Sequence, residues 1–292
     1  MHLGYFGVNQ GLHSSPAAVA RVARAAEEAG YESVFTGEHV VLMDPQAPPS
    51  PLPPAARCLD QAIALTWAAA HTTRLRLGTG IVILPQRNPV ILAKELATLD
   101  VLSGGRLLFG VGVGYVEREF EAIGVPFAER GPRTSEHIEA IRALWTQPRP
   151  EFDGAFTRFH GIQSHPQPVQ RPHPPILVGG MSRAAYRRAV AHANGWYGFY
   201  QSVEATEAAL RGLADAAKEV ERPRGLGPLE ITVTPPPGVP SRDAWRRYED
   251  LGVARIVLLR GFEDMIAAPA PGSAQEDAAI AFLEDGATEL LR

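Results

Sequence analysis

The chain has 292 residues, of which 45% are hydrophobic and 21% charged, and its formal net charge is −4. The acidic balance argues against a nucleic-acid partner, since such proteins usually carry a basic face. Cys58 is the only cysteine, which excludes an internal disulfide and a cysteine-based zinc cluster. No segment approaches the roughly 20 apolar residues of a membrane-spanning helix. The first residues lack the basic start of a signal peptide, so we expect a cytoplasmic protein.

Apolar segments alternate with helical patterns along the chain. Ser15 followed by Pro16 predicts the start of the first helix, and Gly30 predicts its end, because these residues are typical of helix termini. Asn88 and Ser182 indicate two later helix starts in the same way. The predicted strands cover residues 3–8, 33–36, 75–83, 107–113, 175–178, 196–200, 229–233 and 255–259.

Most of these strands are short, continuous apolar runs. Such runs indicate strands buried on both faces, as in a parallel sheet covered by helices. Eight β/α units in a chain of this length fit a closed (β/α)8 TIM barrel better than an open sheet. No change of composition indicates a second domain, so the prediction is one α/β barrel domain over residues 1–292.

Two proline-rich segments interrupt the pattern, one at residues 44–57 and one at residues 148–175. Proline restricts a loop and prevents regular backbone hydrogen bonding. The segments are either disordered linkers or ordered insertions. Because both lie between core elements, we expect ordered loops that cover the active face and shape its pocket.

Glycines cluster near the ends of two predicted strands. Gly110, Gly112 and Gly114 have the spacing G-x-G-x-G, which differs from the dinucleotide-binding fingerprint and instead indicates a close approach of a ring or of neighbouring backbone. Gly80 follows Thr79 inside the third strand, where a glycine marks either a bulge or a packing contact.

A third glycine cluster precedes a predicted helix. Gly179 and Gly180 follow the fifth strand, and Ser182 opens the helix after it. The first N–H groups of a helix are unpaired and lie at the positive end of its dipole. We therefore predict a phosphate site here, with Ser182 either capping the helix or donating its hydroxyl to the phosphate.

Glu38 and His39 follow the second predicted strand. An imidazole exchanges protons near neutral pH, and a carboxylate can fix its tautomer, so the pair is a candidate for acid–base catalysis. The alternative is a structural histidine. The histidines in the second proline-rich segment have no metal-ligand spacing, and we expect no metal.

Several of these motifs together resemble the luciferase-like monooxygenase family. The resemblance extends from residue 1 to about residue 260. It rests on the runs Leu77-Gly-Thr-Gly-Ile-Val-Ile-Leu-Pro85, Arg87-Asn-Pro89, Ala93-Lys-Glu-Leu-Ala-Thr-Leu-Asp100, Leu102-Ser-Gly-Gly-Arg106, Gly110-Val-Gly-Val-Gly114, Pro172-His-Pro-Pro-Ile-Leu-Val-Gly-Gly180 and Gly195-Trp196.

The resemblance implies a barrel that holds a flavin or deazaflavin at its C-terminal face, in a chain that forms homodimers. The pattern is most similar to the branch that uses the deazaflavin coenzyme F420, where a histidine preceded by an acidic residue follows the second strand. His39 would then exchange a proton with Glu38 as its partner. The cofactor-binding residues implied are Thr79, Gly80, Ile81, Val113, Gly114, Tyr115, Gly179, Gly180 and Ser182.

Two details follow from the same resemblance. A cis peptide bond that supports the ring would join Gly80 to Ile81. Sugar-phosphate dehydrogenases of this branch have a glutamate where this chain has Tyr115, which argues against a sugar-phosphate substrate.

Three functions are therefore under consideration. The first is an F420-dependent oxidoreductase that transfers hydride to or from a small organic substrate. The second is an FMNH2-dependent monooxygenase, with FMN as cofactor, of the bacterial luciferase and alkanesulfonate monooxygenase type. The third is a flavin-binding protein without catalytic activity.

Overall fold

The structure is a computed structural model that describes residues 1–268 and 272–291. Residue 292, the predicted end of the domain, therefore lies outside the described residues. The strands are β1 (His2–Phe6), β2 (Ser33–Thr36), β3 (Arg76–Thr79), β4 (Val82–Ile83), β5 (Leu107–Gly112), β6 (Phe152–Asp153), β7 (Arg158–Phe159), β8 (Ile176–Gly179), β9 (Gly195–Phe199), β10 (Glu230–Thr234) and β11 (Arg255–Leu258).

The helices lie between these strands, and their starts follow the capping residues in the sequence. Ser15, Asn88 and Ser182 each accept a hydrogen bond from the first turn of the helix that they precede, as predicted. The helices are α1 (Pro16–Ala29), α2 (Gln61–Ala69), α3 (Pro89–Ser103), α4 (Glu117–Ile123), α5 (Arg130–Thr146), α6 (Arg183–His192), α7 (Val203–Ala216), α8 (Arg242–Asp250), α9 (Phe262–Ile266) and α10 (Ala274–Leu291). None of the helices in the described ranges has the length and apolar character needed to cross a membrane.

All strands except the β6–β7 hairpin form one parallel sheet in the order β3-β2-β1-β11-β10-β9-β8-β5-β4. The sheet closes on itself because β3 also pairs with β5, with Leu77 opposite Leu107. Since β3 and β4 are two parts of one predicted strand, the result is a closed barrel of eight strands with surrounding helices. The predicted (β/α)8 fold is confirmed.

The third barrel strand is interrupted at Gly80 and Ile81, between β3 and β4. The peptide bond that joins these two residues is cis, as the resemblance implied. Gly80 N donates to the Thr36 carbonyl of β2 at 2.8 Å, so the break remains attached to the neighbouring strand.

The core has an outer and an inner part. Most buried apolar side chains lie in the larger cluster, which includes residues of both the strands and the helices. The smaller cluster includes Phe6, Phe35, Leu177 and Tyr197 from four strands. A Cβ at Gly78 would overlap the Phe35 ring, so this glycine leaves room for an aromatic side chain.

The proline-rich segment at residues 44–57 follows β2 and therefore lies on the C-terminal side of the barrel. Leu52 is buried in the inner cluster, next to the strand ends. Arg57 accepts a hydrogen bond from Gly11 N through its carbonyl and donates one to the Ser14 hydroxyl. This segment is therefore attached to the loop that follows β1.

The segment at residues 148–175 joins α5 to β8. Its backbone N–H groups at residues 155–157 donate to Glu136, in the second turn of α5, whereas the end of the segment lies away from the active face. The backbone N–H groups of Val169 and Gln170 donate to Asp100, and the Gln170 side chain donates to the carbonyl of Leu107, the first residue of β5. The segment joins a helix to the strand after it. In a β/α barrel such connections run at the N-terminal face, opposite the catalytic loops.

Candidate active site

The loops after the barrel strands expose several large apolar side chains. In a β/α barrel these loops build the active site, and exposed apolar groups indicate a surface that binds something. Tyr200 has a φ of 57°, which is rare for a bulky residue and is found preferentially at functional positions. Its ring lies 5.8 Å from that of Phe262. The exposed apolar side chains on this face are Val40, Val41, Tyr115, Met181, Tyr200 and Phe262.

His39 lies at the start of this surface, directly after β2. Its Nδ1 is 3.1 Å from Oε1 of Glu119, and only 9% of the His39 side chain and 1% of the Glu119 side chain are exposed. The imidazole meets the Tyr115 ring edge to face at 6.4 Å. Burial and the nearby Glu119 charge raise the pKa of Tyr115, so its hydroxyl keeps its proton near neutral pH. His39 and Tyr115, two predicted site residues, are thus adjacent.

Glu38 does not contact the His39 ring, in contrast to the predicted pairing. Its carboxylate accepts from Ile83 N and from the Arg87 guanidinium. Burial alone would lower the pKa of Arg87, but the Glu38 and Asp60 carboxylates outweigh it and raise the pKa. Adjacent side chains leave a strand end in different directions, and here Glu38 points along the barrel wall towards β4. Its contacts connect β2 to β4.

Ile81 forms a ledge at the top of the barrel. A Cβ at Gly112 would lie 2.5 Å from Ile81 Cδ1, and a Cβ at Gly179 would lie 3.1 Å from Ile81 Cγ2. The two glycines therefore make room for this side chain between β5 and β8. Gln61 donates to the Ile81 carbonyl at 3.0 Å and accepts from the Thr36 hydroxyl at 2.8 Å. These hydrogen bonds fix the backbone of Ile81, whose side chain forms the ledge.

The other predicted cofactor residues near the ledge differ in exposure. Thr79 is fully buried, and its hydroxyl donates to the Gly110 carbonyl at 2.7 Å, so its side chain links β3 to β5. Val113 and Gly114 are partly exposed after β5. A Cβ at Gly114 would lie 2.6 Å from Ile83 Cγ2, so this position too requires a glycine for packing.

Residues 180–182 form an exposed turn before α6. Gly180 has a φ of 113°, and Ser182 Oγ accepts from Ala185 N at 3.2 Å. Ser182 is therefore the helix cap, the first of the two roles considered for it. Trp196 Nε1 donates to the Gly180 carbonyl at 2.8 Å, which fixes the turn while its N–H groups lie at an exposed helix start.

Basic side chains on the loops after the strands already have protein partners. Arg57 donates to Ser14, Arg87 to Glu38 and Asp60, and Arg260 forms an ion pair with Asp264. Arg87 and Arg260 are thus neutralised by carboxylates, whereas the exposed Arg57 donates only to uncharged groups of Ser14.

Glu119 and Gln61 are the site residues that sequence reasoning missed. Glu119 is 80 residues from His39 and lies in the first turn of α4, after the glycine-rich end of β5. The signal available was its position four residues after Tyr115 at the C-terminal face. Gln61 is the first residue of α2, whose other residues are apolar apart from Thr66, and a long polar side chain at this position was the corresponding signal.

Comparison with known proteins gives the same family as the motifs. The family model described as "Luciferase-like monooxygenase" matches residues 1–280. The chain belongs to this family. A Mycobacterium tuberculosis protein of uncharacterised function is 33% identical over 267 residues, which cover 88% of this chain and 91% of that protein.

Two further comparisons involve different cofactors. The FMNH2-dependent dimethylsulfone monooxygenase of Pseudomonas putida is 41% identical over 131 residues, 44% of this chain and 36% of that enzyme. The structure of the coenzyme F420-dependent tetrahydromethanopterin reductase from Methanopyrus kandleri matches with a TM-score of 0.75 at 17% identity, covering 99% and 98% of the two chains. Family membership supports an oxidoreductase, and the neighbours use either a deazaflavin or a flavin.

Proposed function

We propose that this protein is an F420-dependent oxidoreductase that transfers hydride between the deazaflavin and a small organic substrate. The observation that carries the proposal is the position of His39. It lies at the mouth of the barrel, the opening at the C-terminal face between the exposed side chains of Val40, Tyr115 and Tyr200, and its ring contacts the buried Glu119 carboxylate. Hydride transfer to a carbonyl needs a group that gives a proton to the oxygen, and hydride transfer from an alcohol needs a group that takes the hydroxyl proton; imidazole can do both near neutral pH.

The residues at the mouth fit a flat ring with a phosphate. Ile81 provides an apolar ledge over Gly112 and Gly179, and Tyr115, Val113 and Gly114 lie beside it. The exposed start of α6 at residues 180–182 suits the phosphate, because unpaired N–H groups and the helix dipole favour an anion. Bound there, the deazaflavin would supply the acceptor or donor of the hydride.

The protein's own groups would then transfer the proton and hold the cofactor site in position. His39 would hold or release the proton, and Gln61 with Thr36 would hold the Ile81 backbone in place beneath the ring. The Glu38–Arg87 pair would fix β4 against β2. Glu38 is thus proposed to position the site through the backbone, without contact to the His39 ring.

The substrate is proposed to be small, uncharged and at least partly apolar. Exposed apolar side chains surround the C-terminal opening of the barrel, and Arg87 and Arg260 on its loops are paired with carboxylates. A phosphorylated sugar would need free cations. The apolar mouth therefore agrees with the presence of Tyr115 where sugar-phosphate dehydrogenases of this branch have a glutamate.

A second candidate is an FMNH2-dependent monooxygenase. The 41% identity to the dimethylsulfone monooxygenase over 131 residues favours it. The two functions differ in oxygen chemistry, since a deazaflavin transfers hydride whereas oxygenation requires a reduced flavin that reacts with O2.

Parallel binding titrations test the choice of cofactor. We expect the purified protein to bind F420 at least tenfold more tightly than FMN in either redox state, and to consume no oxygen with reduced FMN. The reverse order of affinity, with oxygen uptake in the presence of a flavin reductase, would replace the first function with the second. Binding without any redox turnover, unchanged in His39→Ala, would favour a non-catalytic flavin-binding protein.

We also propose that the protein is a homodimer. α2 contains no charged residue, and Ile63 on it is 73% exposed. Trp67 of α2 and Ile91 and Leu102 of α3 are exposed as well. Exposed apolar side chains on neighbouring helices, here with Lys94 and Glu95 of α3 among them, can pair with their own copy about a two-fold axis. Sedimentation velocity should show a dimer that Ile63→Lys dissociates, while Val169→Lys on the N-terminal face leaves it intact; a monomeric wild type would contradict the proposal.

A further inference from the structure

The hydrogen-bond environment of His39 differs between its two ring nitrogens. Nδ1 faces Glu119 Oε1 at 3.1 Å. Nε2 has no hydrogen-bond partner within the described residues. It is not fully buried, so solvent reaches it. One nitrogen therefore contacts a buried acid, and the other has no hydrogen-bond partner among the described residues.

Among the residues that the structure describes, only His39 forms a hydrogen bond with the Glu119 carboxylate. Its Oε2 is buried without a hydrogen bond, and its side chain is almost completely enclosed. An ionised carboxylate only accepts hydrogen bonds, so His39 Nδ1 must carry the proton that lies between them.

We infer that Glu119 is a positioning residue that fixes neutral His39 in the tautomer with its proton on Nδ1. Nε2 then presents a lone pair at the mouth and is the atom that takes or gives the proton. The statement about Nε2 as the reacting atom rests on the proposed function, whereas the statement about the tautomer does not. The hydrogen bond made by one nitrogen decides which nitrogen is protonated.

Glu38 is the alternative carboxylate, since it precedes His39 in the chain. Its two oxygens are occupied by Ile83 N and Arg87, and it makes no contact with the imidazole. It therefore should not affect the tautomer, although it lies one residue away. Glu38→Gln and Glu119→Ala thus form a matched pair of variants for the test.

The experiment is a long-range ¹H–¹⁵N spectrum of the histidine rings in the ¹⁵N-labelled full chain without added cofactor. Spectra are recorded at about pH 9, where an ordinary imidazole is neutral, and His39→Gln identifies the His39 signals. We expect a protonated Nδ1 and an unprotonated Nε2 in the wild type and in Glu38→Gln. In Glu119→Ala the proton should move mostly to Nε2.

Two results would overturn the inference: a wild-type ring protonated on Nε2, or an Nδ1-protonated ring that persists in Glu119→Ala. If Glu119→Ala does not fold, Glu119→Asp replaces it, because the shorter side chain withdraws the carboxylate from the ring and should reduce the Nδ1-protonated fraction. An unchanged fraction in folded Glu119→Asp would contradict the inference. Because no cofactor is present, a failed F420 titration leaves this result unaffected.

Discussion

Two histidines follow neighbouring strands at the same end of the barrel, yet their surroundings give them different chemistry. His13 follows β1, is 3% exposed, and shares a 3.1 Å hydrogen bond with the Tyr5 hydroxyl. Burial, together with the Arg260 charge, lowers the pKa of His13 to about 4. His39 follows β2 and faces the Glu119 carboxylate.

The contrast shows that position at a strand end does not by itself make a histidine an acid–base group. His13 is surrounded by a hydroxyl, a cation and apolar core residues. These surroundings favour the neutral imidazole, which packs as part of the core. His39 has a buried carboxylate at Nδ1, and its Nε2 has no hydrogen-bond partner within the described residues. The partner of the ring distinguishes the two roles.

The largest predicted effect concerns His13 and acid stability. The folded pKa of about 4 lies below the ordinary value of 6.5, so unfolding takes up a proton between these pH values. Stability should therefore be complete above about pH 6.5 and fall by about 3 kcal/mol as the pH drops to 4. Urea unfolding at a series of pH values measures this loss.

His13→Gln is the variant that isolates this contribution, because glutamine retains a hydrogen-bonding group for Tyr5 and does not titrate. Its stability should be lower than that of the wild type at pH 7 but should decline less between pH 6.5 and 4. His39→Gln serves as the comparison and should keep the steep decline. If His13→Gln declines as steeply as the wild type, the neutral buried role of His13 is incorrect.

A smaller effect tests whether the ledge beside His39 is where the cofactor lies. In Gly112→Ala the new methyl group would lie 2.5 Å from Ile81 Cδ1, so the Ile81 side chain must move. We expect F420 affinity to fall about tenfold, which corresponds to about 1.4 kcal/mol, with a comparable loss of stability. A fluorescence titration of the cofactor measures the change.

Gly225→Ala is the matched control for this substitution. A Cβ at Gly225 meets no atom within 4 Å, so the same chemical change should leave the affinity for F420 unaltered. Equal losses of affinity in the two variants would show that F420 binding does not depend on the Ile81 ledge. An unchanged affinity in Gly112→Ala would place the ring elsewhere on the face.

The barrel could be predicted from the sequence because its strands and helix starts carry local signals. Ser15, Asn88 and Ser182 cap helices through their own side chains, and continuous apolar runs identify the buried strands. The position of Val169 and Gln170 beside the start of β5 was not predicted, because proline content describes a loop's stiffness and says nothing about which face it crosses. The order of helix and strand around it decides that face.

The site was less accessible to sequence reasoning because its contacts are distant in the chain. The resemblance indicated His39 and the cis bond before Ile81, both of which lie at the mouth. The partner of His39 could not be predicted, since Glu119 is 80 residues away and comes close only when the barrel closes. Neighbouring Glu38 was the natural expectation, but its side chain turns to Arg87.

The most direct test of the central claim is a crystal structure of the full chain with F420 bound. The account predicts that the deazaflavin ring lies against Ile81 with its phosphate at residues 180–182, and that His39 Nε2 points at the space above the ring while Nδ1 stays with Glu119. A cofactor bound away from this mouth, or a His39 ring turned from it, would contradict the account.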